Sequence, residues 1–144
     1  MNSHKEVKVL IAEDDRGHAE LIIEALYDSG LRNEIVRFED GKDLWDYLLS
    51  IIHEPANAAS TYSYLILLDI NMPRMDGTEV LEKIKCTKEL KDIPVIMLTT
   101  TDDPREIERC YQLGCNVYIT KPVDFIKFTD TLQRIGLFLQ IISV

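Results

Sequence analysis

The sequence predicts an α/β domain built on a parallel sheet, and three features carry that prediction. Five short β-type runs alternate strictly with five stretches of helical periodicity. The first, third and fourth runs are apolar almost throughout, as strands covered on both faces must be. At 144 residues the chain is long enough to bury such a sheet in one ordinary domain spanning residues 1–144, with its core over about 7–139.

The elements follow in order. "VKVLIAE" (7–13) reads as the first strand. Ala19, Ile22, Ile23 and Leu26 then repeat at helical spacing, with Gly30 as a C-terminal stop. "EIVRF" (34–38) is a short second strand, and after the turn-like "EDG" (39–41) Leu44, Leu48 and Ile51 line a second helix. "HEPANAASTYS" (53–63) reads as a surface loop. "YLILLD" (64–69) is the third strand, and Val80, Leu81 and Ile84 mark the third helix. "PVIMLT" (94–99) is the fourth strand; Ile107, Cys110 and Tyr111 mark a fourth helix closed by Gly114. "NVYIT" (116–120) is the fifth strand, and Phe125, Phe128, Leu132, Ile135 and Leu139 give a fifth helix with an apolar extension over 135–144. Strict βα alternation implies right-handed crossovers that place helices on both faces of the sheet.

Composition narrows the function. A net charge of −9 argues against nonspecific nucleic-acid binding, which needs Lys and Arg to displace phosphate counterions. No apolar run reaches the length of a membrane span, and "MNSHKEVKVL" lacks the layout of an export signal, so a cytoplasmic home is expected. Cys86, Cys110 and Cys115 form no CxxC pair and read as reduced, mostly buried thiols. His4, His18 and His53 are scattered, which argues against a zinc site.

Four strand ends carry polar cargo: "EDD" (13–15), Asp69, "TTT" (99–101) and "TKP" (120–122). Ligands of open α/β sheets sit beyond the carboxyl ends of the strands, so Glu13, Asp14, Asp69, Thr99 and Lys121 should converge. Crowded carboxylates repel one another and stay ionised only beside a cation; all-oxygen donors suit Mg²⁺. Taken alone, "EDD" is an ordinary solvated strand end and Lys121 an ordinary surface lysine. Together with Asp69 they outweigh that reading. Asp15, where the first helix starts, is expected to be its N-cap.

"IAEDD", "LILLDINMPRMDG", "PVIMLTT" and "YITKPVD" resemble the signature blocks of bacterial response-regulator receiver domains, in order and spacing, over roughly residues 7–139. Within that family the chain most resembles the single-domain regulators that serve phytochrome kinases. The resemblance implies a flavodoxin-like (βα)5 fold of strand order 2-1-3-4-5. It also implies that Asp69 accepts a phosphoryl group from a phosphohistidine on a sensor histidine kinase. Glu13, Asp14, Asp69 and the backbone carbonyl of Asn71 would hold Mg²⁺, and Lys121 would offset charge on the phosphoryl oxygens. Thr99 and Tyr118 would form the switch pair, while Asn71, Thr100 and Thr101 would tune hydrolysis of the acyl phosphate. Thr100 is larger than the residue many family members carry there.

With no further domain expected after the fifth helix, output would come from the receiver surface, including a homodimer through the fourth and fifth helices. Such a protein catalyses chemistry only on itself. The enzyme-class rival, an aspartate-nucleophile phosphatase of the haloacid dehalogenase type, wants a second Asp two residues after the nucleophile, where this chain has Asn71. A flavodoxin-like cofactor binder or P-loop protein lacks its phosphate loop, since all six glycines are isolated.

Overall fold

The structure, a computed structural model, describes residues 6–28, 32–54, 62–100, 103–120 and 130. Nine elements lie within them: β1 (Glu6–Ala12), α1 (Arg16–Asp28), β2 (Ile35–Phe38), α2 (Gly41–Ile52), β3 (Tyr62–Asp69), α3 (Gly77–Lys85), β4 (Val95–Thr99), α4 (Pro104–Gln112) and β5 (Val117–Thr120). The five strands form one parallel sheet in the order β2-β1-β3-β4-β5. The flavodoxin-like order implied by the sequence is therefore the order observed.

Alternation along the strands divides the core into two layers. Val7, Val9, Ile11, Leu65, Leu67, Ile96 and Leu98 point to one face, where Ile22, Ala25 and Leu26 of α1 cover them. Leu10, Ala12, Ile66, Leu68, Val95 and Met97 point to the other, under Leu44 and Leu48 of α2, Val80, Leu81 and Ile84 of α3, and Cys110 of α4. β1 and β3 are sandwiched between layers, which is why they read as continuous apolar runs. β2 and β5 form the edges and are only partly buried.

The structure differs from the sequence reading at β1, β3 and α4. β1 stops at Ala12, so Glu13 is the first residue past the strand. β3 begins at Tyr62, because Glu6 and Val7 of β1 pair with Tyr62 and Ser63; these two residues are strand, not loop. On α4 only Cys110 is fully buried, and Tyr111 is 49 % exposed. One residue turns a helix by about 100°, so the position after a buried Cys110 rotates outward. Residues 55–61 of the expected surface loop, the stop at Gly30, the fifth helix apart from Asp130 and the apolar extension lie outside the described residues. Among the described residues no helix is long and apolar enough to cross a membrane.

Candidate functional site at the carboxyl edge of the sheet

Parallel register brings the strand ends together. Ala12 lies beside Leu68, Asp69 beside Leu98, and Thr99 beside Thr120. Glu13 and Asp14, the first residues past β1, therefore emerge next to Asp69. Their carboxylates and that of Asp69 each offer an oxygen, and these oxygens lie within 4.8 Å of one another. Glu13 is 1 % exposed and Asp69 6 %, while Asp14 reaches solvent.

Local chemistry explains how buried acids are held there. The Glu13 amide donates to the Phe38 carbonyl at 3.0 Å, extending the β1–β2 pairing by one residue. Arg37 of β2 donates through Nε and Nη2 to the Glu13 carbonyl oxygen, at 3.1 and 2.9 Å, and through Nη2 to the Asp14 carbonyl at 3.3 Å. A cation thus sits behind the backbone of the two acids and favours negative charge in front of it. Glu13 Oε2 accepts from the Asp15 amide at 3.1 Å, and Asp15 Oδ1 accepts from the His18 amide at 2.9 Å. Asp15 is the N-cap of α1, as expected.

The segment after Asp69 turns sharply. Met75 donates from its amide to the Pro73 carbonyl, and Gly77 from its amide to the Ile70 carbonyl, both at 2.8 Å. Asp76 then caps α3, accepting from the Glu79 amide at 2.9 Å. Burial works against charge on Asp40, the N-cap of α2, but the Asp43 amide and the Arg74 guanidinium hold its carboxyl below the usual range.

Of the residues expected at the site, Glu13, Asp14 and Asp69 are brought together. Asn71 lies exposed two residues beyond Asp69, and Thr100 is exposed in the bend that follows β4. Thr99 ends β4 beside Thr120, but its side chain lies outside the described residues, as do Lys121 and Thr101. Tyr118 on β5 packs partly buried against the core, and its amide donates to the Tyr111 hydroxyl at 3.1 Å. Arg37 was not legible as a site residue, because its reach to carbonyls 23 and 24 positions away follows from strand pairing alone. The capping role of Asp76 had a signal: an Asp three residues before Glu79, opening a helix.

Three carboxylates this close form a cluster of oxygen donors that could hold a metal ion. Hard oxygen donors at that spacing fit a hard divalent ion such as Mg²⁺, which completes its shell with water and phosphoryl oxygens.

Comparison with known proteins agrees with this geometry. The family model of the response regulator receiver domain matches residues 9–133. A receiver domain crystal structure from Rhodospirillum rubrum is 40 % identical, covering 93 % of this chain and 94 % of that one with a TM-score of 0.79. The phosphorylated cyanobacterial phytochrome response regulator RcpA is 35 % identical, covering 95 % and 94 % of the two chains, TM-score 0.76. Response regulator Rcp1 of Synechocystis sp. is 35 % identical over 113 residues, 78 % of this chain and 75 % of that protein. The structure of Rcp1 in its Mn²⁺-bound form is 31 % identical and covers 91 % and 92 %, TM-score 0.72.

Proposed function

Because the chain belongs to the response regulator receiver family, the phospho-accepting side of two-component signalling, we propose that Asp69 is its acceptor and the Glu13–Asp14–Asp69 cluster its Mg²⁺ site. The observation that carries this reading is the gathering of those three carboxylates around the end of β3. An Asp69 carboxylate oxygen attacks the phosphorus of a phosphohistidine on the sensor kinase. A P–O bond forms, the P–N bond breaks, and the leaving imidazole takes up a proton. Bound Mg²⁺ supplies charge neutralisation on the phosphoryl oxygens. Glu13, Asp14, Asp69 and the Asn71 carbonyl hold it. Lys121, which follows Thr120 in sequence, is the candidate cation for the phosphoryl oxygens.

Acceptance adds charge and acceptor oxygens at the sheet edge. Thr99 would bond the phosphoryl group and Tyr118 would follow it inward, the switch implied by family resemblance. Asn71, Thr100 and Thr101 would set the acyl-phosphate lifetime. The same reading makes this a cytoplasmic regulator that acts catalytically only on itself. Likeness to RcpA supports a phytochrome-class kinase as the donor. Exposed Tyr111 and Val117 on the α4–β5 side support a homodimer through the fourth and fifth helices.

Incubation with acetyl phosphate and Mg²⁺, read by intact mass, tests the acceptor. Wild type should gain one phosphoryl group and Asp69→Asn none. Equal labelling of both, or of neither, overturns the assignment.

A further inference from the structure

Arg74, five residues after Asp69, stands at φ 68°, the left-handed region, where it is the one non-glycine residue among those described. Arginine enters that region at a cost, so something beyond local preference must hold it there. Its guanidinium supplies the answer. Nε lies 2.9 Å from Asp40 Oδ2, Nη2 lies 3.3 Å from Asp40 Oδ1, and Nη2 lies 2.6 Å from Asp43 Oδ1. A planar fork is thus spread over two carboxylates at the start of α2, those of its N-cap and of Asp43 in its first turn. The Asp40 side chain is 14 % exposed, so one half of this pairing is largely shielded from water.

The backbones beneath the fork also meet. A Cβ placed on Gly41 would stand 2.0 Å from the Met75 carbonyl oxygen, so nothing larger than hydrogen fits between α2 and the β3–α3 loop. The same loop carries Asn71 and closes through Gly77 onto Ile70. The start of α2 and the segment leaving Asp69 are therefore clamped together at two points, one ionic and one steric.

We propose that Arg74 is a positioning residue for phosphoryl acceptance: its clamp on Asp40 and Asp43 holds the Asn71–Gly77 loop in the form that completes the metal site. This inference rests on the reading of the acid cluster as the Mg²⁺ site. The competing view is that an exposed ion pair contributes almost nothing. It does not account for a left-handed arginine or for the shielded Asp40 fork.

The test uses the full chain and four proteins: wild type, Arg74→Ala, Arg74→Gly and Arg74→Lys. Mg²⁺ affinity is measured by titration calorimetry, and the phosphorylation rate is followed against acetyl phosphate concentration. Arg74→Ala should weaken Mg²⁺ binding roughly tenfold, the lower end of what loss of support behind metal ligands produces. At limiting Mg²⁺ it should lower the maximal rate in proportion, with the half-saturating acetyl phosphate unchanged. Arg74→Gly relieves the backbone but removes the fork, so it should share the defect. Arg74→Lys, which keeps charge without a fork, should recover part of it. Should Arg74→Ala fail to fold, Asp43→Asn provides the same comparison with a milder loss. Mg²⁺ affinity within twofold of wild type in Arg74→Ala, or full affinity in Arg74→Gly, overturns the clamp. A wild type that binds Mg²⁺ but takes no phosphoryl group removes the acceptor reading and leaves the clamp to be judged on metal affinity. A wild type that binds no Mg²⁺ removes both.

Discussion

The backbone of Gly77 presses against the carbonyl of Asp69: a Cβ added to Gly77 would stand 2.1 Å from that oxygen and 2.8 Å from Ile70 Cα. Both obstacles are main chain at the end of a central strand, so relief requires a backbone shift rather than a side-chain rotation. Gly77→Ala is therefore expected to destabilise the fold by about 1–3 kcal/mol, as overpacking does. It should also slow labelling by acetyl phosphate, because the strain is relieved by shifting Asp69. Urea unfolding and intact mass measured on one preparation check both effects. Wild-type stability would show that the β3–α3 loop yields freely.

Repulsion within the acid cluster makes a second prediction. Asp14 is the exposed member, so Asp14→Asn removes one negative charge without leaving a buried polar group unsatisfied. The metal-free variant should melt above metal-free wild type, while the rise in melting temperature on adding Mg²⁺ should shrink. Thermal melts with EDTA and with excess Mg²⁺ separate the two effects. An unchanged Mg²⁺-induced shift would exclude Asp14 as a ligand.

The thiols should divide into classes. Cys86 is exposed, whereas Cys110 and Cys115 are buried, and burial raises both of their pKa values, Cys115 to about 11. Thiolate is the reacting species, so both buried groups are doubly protected. Native protein at pH 8 should show one fast-reacting thiol toward a disulfide reagent and two slow ones. Fast reaction of all three would mean that α4 opens readily.

Alkaline pH should destabilise the fold in a defined window. Burial favours the neutral Cys115 thiol, from an ordinary 9.0 to about 11, and the neutral Tyr64 phenol, from 10.0 to about 12. In each case the unfolded chain ionises first. The stabilisation is complete below the unfolded value and is lost as pH rises through the folded one. Urea midpoints should thus hold up to about pH 9 and fall between about 9 and 12. Replacing Cys110 and Cys115 together by Ala should delay the onset by about one unit, since Tyr64 then begins the decline. An unchanged onset would assign the decline to other groups.

Much of this fold is legible in the sequence. Leu44, Leu48, Val80, Leu81 and Ile84 repeat at helical spacing, and all are buried. Glu13, Asp14 and Asp69 were picked from their places at strand ends, and they meet. Such inferences succeed because period and burial are local: a face that repeats every 3.6 or every 2 residues can be seen in the chain itself. Tyr111 failed the same test, since a short helix with one buried residue leaves its flanking positions free to face either way.

What the linear order of residues determined was the parallel sheet, its two apolar layers and the edge at which the acids gather. Only the folded arrangement decided what supports them. Arg37 reaches the carbonyls of Glu13 and Asp14 because β2 pairs beside β1, and Arg74 finds Asp40 from 34 residues away because α2 and α3 lie side by side. Polar side chains on loops and edges belong to no periodicity. Their partners are chosen by which backbones the sheet brings within hydrogen-bonding distance.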